Sequence, residues 1–92
     1  MIEVKNLNGT TDNDPPEGYS TWKEFWEDKK EKDFSTCSCK DCSNDAEVGA
    51  HVKKANSSDN KWYIVPLCTS CNHKTKDEVF EVREYDLVPV NQ

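Results

Sequence analysis

At 92 residues, with 34% hydrophobic and 33% charged side chains, the chain has material for one small domain and a meagre core. Its 18 acidic side chains against 12 basic ones leave a net charge of −6, which excludes nucleic-acid binding driven by the overall field. No stretch is long or apolar enough to span a membrane, and the first residues lack a basic-then-apolar signal. The expectation is a monomeric cytoplasmic protein with no membrane contact, in which the sequons Asn8-Gly9-Thr10 and Asn56-Ser57-Ser58 carry no meaning.

Residues 1–19 mix a short apolar start with Asn, Asp, Gly and Pro-Pro, which predicts an extended arm or ordered loop. Thr21-x-x-Glu24 is a capping box, and Trp22, Phe25 and Trp26 follow at helical spacing. A short amphipathic helix over 21–33 is expected, with its tryptophans in the core. A turn-rich stretch, 33–45, holds three cysteines. Residues 46–54 and 61–67 are rich in Val, Ile, Trp and Tyr and flank the polar "NSSDN", which predicts a β-hairpin. Thr69 or Ser70 can cap a short helix reaching to about residue 78, and "VFEVREYDLVPV" alternates as one or two closing strands. The expected organisation is a single domain, 1–92: an arm and helix (1–36), a core (37–78) and a closing strand segment (79–92).

The cysteines are the strongest chemical signal. Five is an odd number, and in a reducing compartment paired cysteines point to metal more than to disulfides. Cys39-x-x-Cys42 and Cys68-x-x-Cys71 each form a turn that lets two sulfurs reach one ion, and together they predict a tetrahedral site for one structural Zn2+ per chain. Cys37 could replace Cys39, because Cys37-x4-Cys42 is also a known ligand spacing, but the tighter turn favours Cys39. The 25 residues between the pairs suit an inserted hairpin, and the second pair falls where the hairpin meets a helix. Knuckle, hairpin and helix make an α+β treble clef, here with an N-terminal helix and C-terminal strands.

Across residues 39–76, "CKDC…VGAHV…YIVPLCTSCNHKTK" resembles the zinc-bearing branch of the HNH endonuclease family. The resemblance implies a site in which His51 is the general base that activates water against a phosphodiester. It also implies a second metal, Mg2+ or Mn2+, held after the last cysteine, where Asn72 stands in place of the usual His with His73 beside it. The sequence departs from that pattern twice more. Ala50 stands where the family holds the catalytic metal with Asp or His, and Tyr63 replaces the Asn that orients the base. Phosphodiester hydrolysis needs a divalent ion and a positioned base, and hard ions favour carboxylate oxygens. The nearest carboxylate is Glu47, four positions before His51.

A non-catalytic zinc module of HNH-like fold is therefore expected, acting by binding a protein or nucleic acid partner. The alternative is a small metal-dependent DNA endonuclease. A third reading, resting on charge alone, is an acidic blocker of a nucleic-acid enzyme. Between Val48 and Lys76 five lysines, Lys53, Lys54, Lys61, Lys74 and Lys76, face one acid, Asp59. That local excess predicts weak, salt-sensitive DNA binding through Lys53, Lys54, Lys74 and Lys76. Beyond it, Asp77, Glu78, Glu81, Glu84 and Asp86 stand against Arg83 alone.

Overall fold

The computed structural model describes residues 1–7, 15, 17–56, 61–73 and 78–90. The first sequon, Ser57 and Ser58 of the second, most of the "NSSDN" loop, and Lys74 and Lys76 lie outside the described residues. The chain forms a small α+β structure: β1 (Ile2–Asn6), α1 (Trp22–Lys30), β2 (Val48–Lys54), β3 (Tyr63–Leu67), α2 (Thr69–Asn72), β4 (Val79–Val82), a 3-10 turn (Glu84–Asp86) and β5 (Val88–Pro89). The strands make one antiparallel sheet in the order β4-β1-β2-β3-β5. No described helix is long and apolar enough to cross a membrane.

Side chains alternate across a pleated sheet, so register decides which core each residue joins. Ala50 pairs with Val65 and His51 with Ile64. The face carrying Val4, Ala50, Val52, Val65, Leu67, Phe80 and Val82 packs against the cysteines. The opposite face carries Ile64 and Val88 and is covered by Phe25 and Trp26 of α1, with Tyr19, Trp22, Phe34 and Val90 around them. Two small cores thus share one sheet.

The hairpin lies where the sequence puts it, and the opening residues do more than the sequence suggests. Instead of an arm, Ile2–Asn6 forms a strand between β2 and β4, with Val4 fully buried. The helix starts as expected: Thr21 Oγ1 accepts from the N–H of Glu24 at 3.1 Å. The reciprocal half of the cap is displaced by one residue, since the Glu24 carboxylate takes the N–H (3.2 Å) and hydroxyl (2.6 Å) of Ser20. The helix stops at Lys30, before the expected residue 33, because Glu31 turns left-handed (φ 55) and Lys32 N–H returns to the Glu27 carbonyl at 3.2 Å. Its start lies against Gly49, where a Cβ would sit 2.9 Å from the Trp22 carbonyl carbon. The two closing strands separate to opposite edges of the sheet, β4 beside β1 and β5 beside β3.

Between those edges runs the cysteine-bearing segment. Ser38 N–H donates to the Pro66 carbonyl at the end of β3 (2.9 Å), and the Ser38 carbonyl accepts from Arg83 N–H (3.2 Å) just past β4. Cys39 bridges Val82 and Lys40 N–H reaches Glu81 O at 2.9 Å. Residues 38–40 therefore tie the end of β3 to β4.

Candidate metal centre

Four sulfurs meet at one end of that core. The Sγ atoms of Cys37, Cys42, Cys68 and Cys71 all lie within 4.8 Å of one another, and those of Cys42 and Cys68 are 3.8 Å apart. Four sulfurs at ~2.3 Å from a tetrahedral zinc would stand about 3.8 Å apart, so the group could hold a metal ion with little adjustment. The cysteines are all free thiols.

Two local structures deliver these sulfurs. Thr36 bridges Asp45, Cys37 N–H donates to Asn44 O (2.8 Å) and Ala46 N–H to Ser35 O (2.9 Å), forming a miniature hairpin around residues 38–43. Asp41 turns its tip in a left-handed conformation (φ 60) that Asp tolerates, and this brings Cys42 back beside Cys37. On the other side, Cys68 is the N-cap of α2 and Cys71 lies in its single turn, closed by Asn72 N–H to Cys68 O at 3.0 Å.

The fourth sulfur differs from the expected set. Cys42, Cys68 and Cys71 come together as predicted, but with Cys37, and Cys39 stands outside the group. Cys37 and Cys39 are both buried in the sulfur-side core. The bridge from Cys39 to Val82 holds it toward β4. It remains close enough to Cys71 for their thiols to interact.

The thiols perturb one another strongly. Burial pushes Cys37 up to about 11, against N–H groups of Cys39 and Cys68 directed at its sulfur. Burial and the neighbouring sulfurs of Cys39, Cys68 and Cys37 raise Cys71 further still. Burial also opposes ionisation of Cys68, but the Cys71 N–H, the Asn44 amide (3.8 Å) and adjacent thiols outweigh it and bring the group down to about 7. Metal binding by cysteines takes the thiolate form and so releases protons.

Polar side chains outside the sulfur group support the centre. Asn6 of β1, 3% exposed, donates its amide to the carbonyls of Cys71 (3.5 Å) and Asn72 (3.4 Å) at the end of α2. Glu47 accepts from the N–H (3.2 Å) and hydroxyl (3.1 Å) of Thr69, so it secures the start of α2 and is not directed at His51. Arg83 extends its guanidinium to the carbonyls of Thr36 (3.0 Å) and Cys37 (3.4 Å) and pairs with buried Asp86 at 2.7 Å. The only sequence signal for Arg83 is its isolation among five acids.

The expected general base and the expected second-metal position, Asn72 and His73, are not brought together. His51 sits mid-strand in β2 on the α1 face, 7% exposed, edge-on to the rings of Trp22 (4.6 Å, 83°) and Trp62 (6.0 Å, 87°). Its Nε2 has no hydrogen-bond partner among the described residues, and burial lowers its pKa below the ordinary histidine value. Asn72 lies with α2 on the other face of the sheet, and His73, just past α2, is exposed. Ala50 also faces the sulfur side, paired with Val65, and Tyr63 is buried in the same core. Lys53 is exposed, whereas Lys54 is half-buried with its ammonium 5.0 Å from the Tyr63 ring.

No protein-family model, curated protein or solved structure matches the chain.

Proposed function

We propose that the protein is a structural zinc-binding module of treble-clef, HNH-like build that works by binding a protein or nucleic acid partner and does not cleave phosphodiesters. The observation that carries the metal reading is the four-sulfur group with spacings near a tetrahedral zinc site. Zinc is favoured among soft-ligand metals because four thiolates supplied by two short turns form a closed site with no position left for substrate. The order of the pieces, a cysteine loop, the β2–β3 hairpin, then a helix turn carrying the second pair, supports the treble-clef reading.

The non-catalytic part rests on His51. A general base must reach water and a metal-bound phosphate. His51 is enclosed by α1, on the opposite side of the sheet from Asn72. The acidic total charge leaves Lys53 and Lys54 as weak, salt-sensitive contacts for DNA, with binding to a protein equally compatible with this surface.

The test has two arms. Purified protein should carry about one zinc per chain, and it should leave supercoiled plasmid intact in Mg2+ or Mn2+. Absence of tightly held zinc would remove the first half of the proposal. Nicking that disappears in His51→Ala would overturn the second and make the chain an endonuclease.

A further inference from the structure

The sequence contains two competing ligand sets, and the structure brings only one of them together. Cys39-x-x-Cys42 has the commoner spacing, yet Cys37 stands with Cys42, Cys68 and Cys71. Cys37 and Cys39 belong to the same core and stand two positions apart, so sliding this segment by two residues would exchange Cys37 for Cys39. Shared burial alone does not choose between them. Something must fix the register.

We propose that Arg83 is the positioning residue that selects Cys37 over Cys39 as the fourth metal ligand. Its guanidinium Nη2 donates to the carbonyls of Thr36 (3.0 Å) and Cys37 (3.4 Å). Its backbone N–H reaches the carbonyl (3.2 Å) and hydroxyl (3.1 Å) of Ser38. Its Nε pairs with Asp86 Oδ2 at 2.7 Å, and the Ser38 hydroxyl donates to that same oxygen at 2.9 Å. Ser38 is fully buried and Asp86 4% exposed, so the unit is built into the protein. Trp26 fixes it from the other face by donating Nε1–H to the Asp86 carbonyl at 2.7 Å. A two-residue slide would withdraw the Ser38 hydroxyl from Asp86 and from the Arg83 N–H, and would carry the Thr36 and Cys37 carbonyls off the guanidinium, while the Arg83–Asp86 and Trp26–Asp86 bonds that hold the clamp stay in place. Arg83 itself borders an open cleft of about 240 Å3, so replacing it leaves no void in either core.

The proposal rests on the sulfur group holding a metal, and cobalt reports both points separately. Co2+-loaded wild type should show the charge-transfer absorption of four thiolates. Cys37→Ser should lose about a quarter of that intensity, four sulfurs becoming three, and bind cobalt at least tenfold more weakly against a competing chelator, the lower end of what ligand-supporting contacts are worth. Cys39→Ser should change neither. In an Arg83→Met background the pattern should invert: Cys39→Ser now loses intensity and Cys37→Ser keeps the four-thiolate spectrum. If Arg83→Met does not take up cobalt, Asp86→Asn, which retains the shape but removes the charge partner, should give the same inversion. Continued dependence on Cys37 with indifference to Cys39 in the cobalt-binding variant overturns the role of Arg83. A wild-type protein that takes up no cobalt sinks the metal reading itself, a distinguishable failure.

Discussion

Protonating His51 means placing a charge between two indoles in a site closed to water. Its pKa is lowered from 6.5 by burial, so the folded protein binds that proton less readily than the unfolded chain. The sign follows from linkage: stability is fully present above pH 6.5 and declines as pH falls below it, because only the unfolded state then gains the proton freely. Denaturation of metal-loaded protein at a series of pH values should show this loss, and His51→Gln, which cannot titrate, should show a shallower one. A His51 ring that titrates at 6.5 or above by NMR would contradict the enclosed placement. The sequence makes this histidine conspicuous but not its direction. Strand alternation puts Ala50 and His51 on opposite faces, and only the tertiary arrangement assigns α1 to one and the cysteines to the other. Cys37 and Cys39 pose the reverse difficulty, since they share a core and no local rule separates them.

The docking of α1 depends on a residue with no side chain. A Cβ on Gly49 would lie 2.9 Å from the Trp22 carbonyl carbon, 3.0 Å from its Cβ and 3.1 Å from its oxygen, and two of those atoms are backbone. Gly49→Ala must therefore push the start of α1 off the sheet. A cost of about 1–3 kcal/mol is expected, typical of overpacking, read as a lower midpoint in urea with little change in slope. Wild-type stability in Gly49→Ala would mean that α1 does not pack here. The helix was legible because its signals are local: a capping threonine and aromatics at helical spacing. Its end was not, because Glu31 adopts the left-handed conformation that glycine usually announces. β1 escaped notice for a different reason. Five residues with Ile2 and Val4 as their apolar content become a strand through β2 and β4, whose residues come some fifty to eighty positions later. The α2 turn is likewise defined by sulfur placement and by Asn6 and Glu47 from elsewhere in the chain more than by helix propensity.

Stability of the complete chain turns on how little else holds it. The cysteines occupy one of the two small cores among the described residues, and that core includes residues from β1, β2, β3 and β4. Opening the sulfur group would free both the 37–42 loop and α2, and with the loop goes the tie between β3 and β4 at Ser38. The α1 core cannot persist alone, because its floor, Ile64 and Val88, belongs to the same sheet. Structural zinc in small modules contributes about 10–16 kcal/mol, comparable to or larger than the 5–15 kcal/mol by which whole domains are stable. The net charge of −6 adds repulsion that the compact state must overcome. If the sulfur group holds zinc as proposed, stripping it with a strong chelator should abolish both cores at once: amide dispersion should collapse, and tryptophan emission should shift to the red as Trp26, 2% exposed in the folded protein, meets water. Re-adding zinc under reducing conditions should restore both signals together. A chelated protein that keeps Trp26 buried would show that the α1 core stands without the sulfur centre, and that the two layers fold independently.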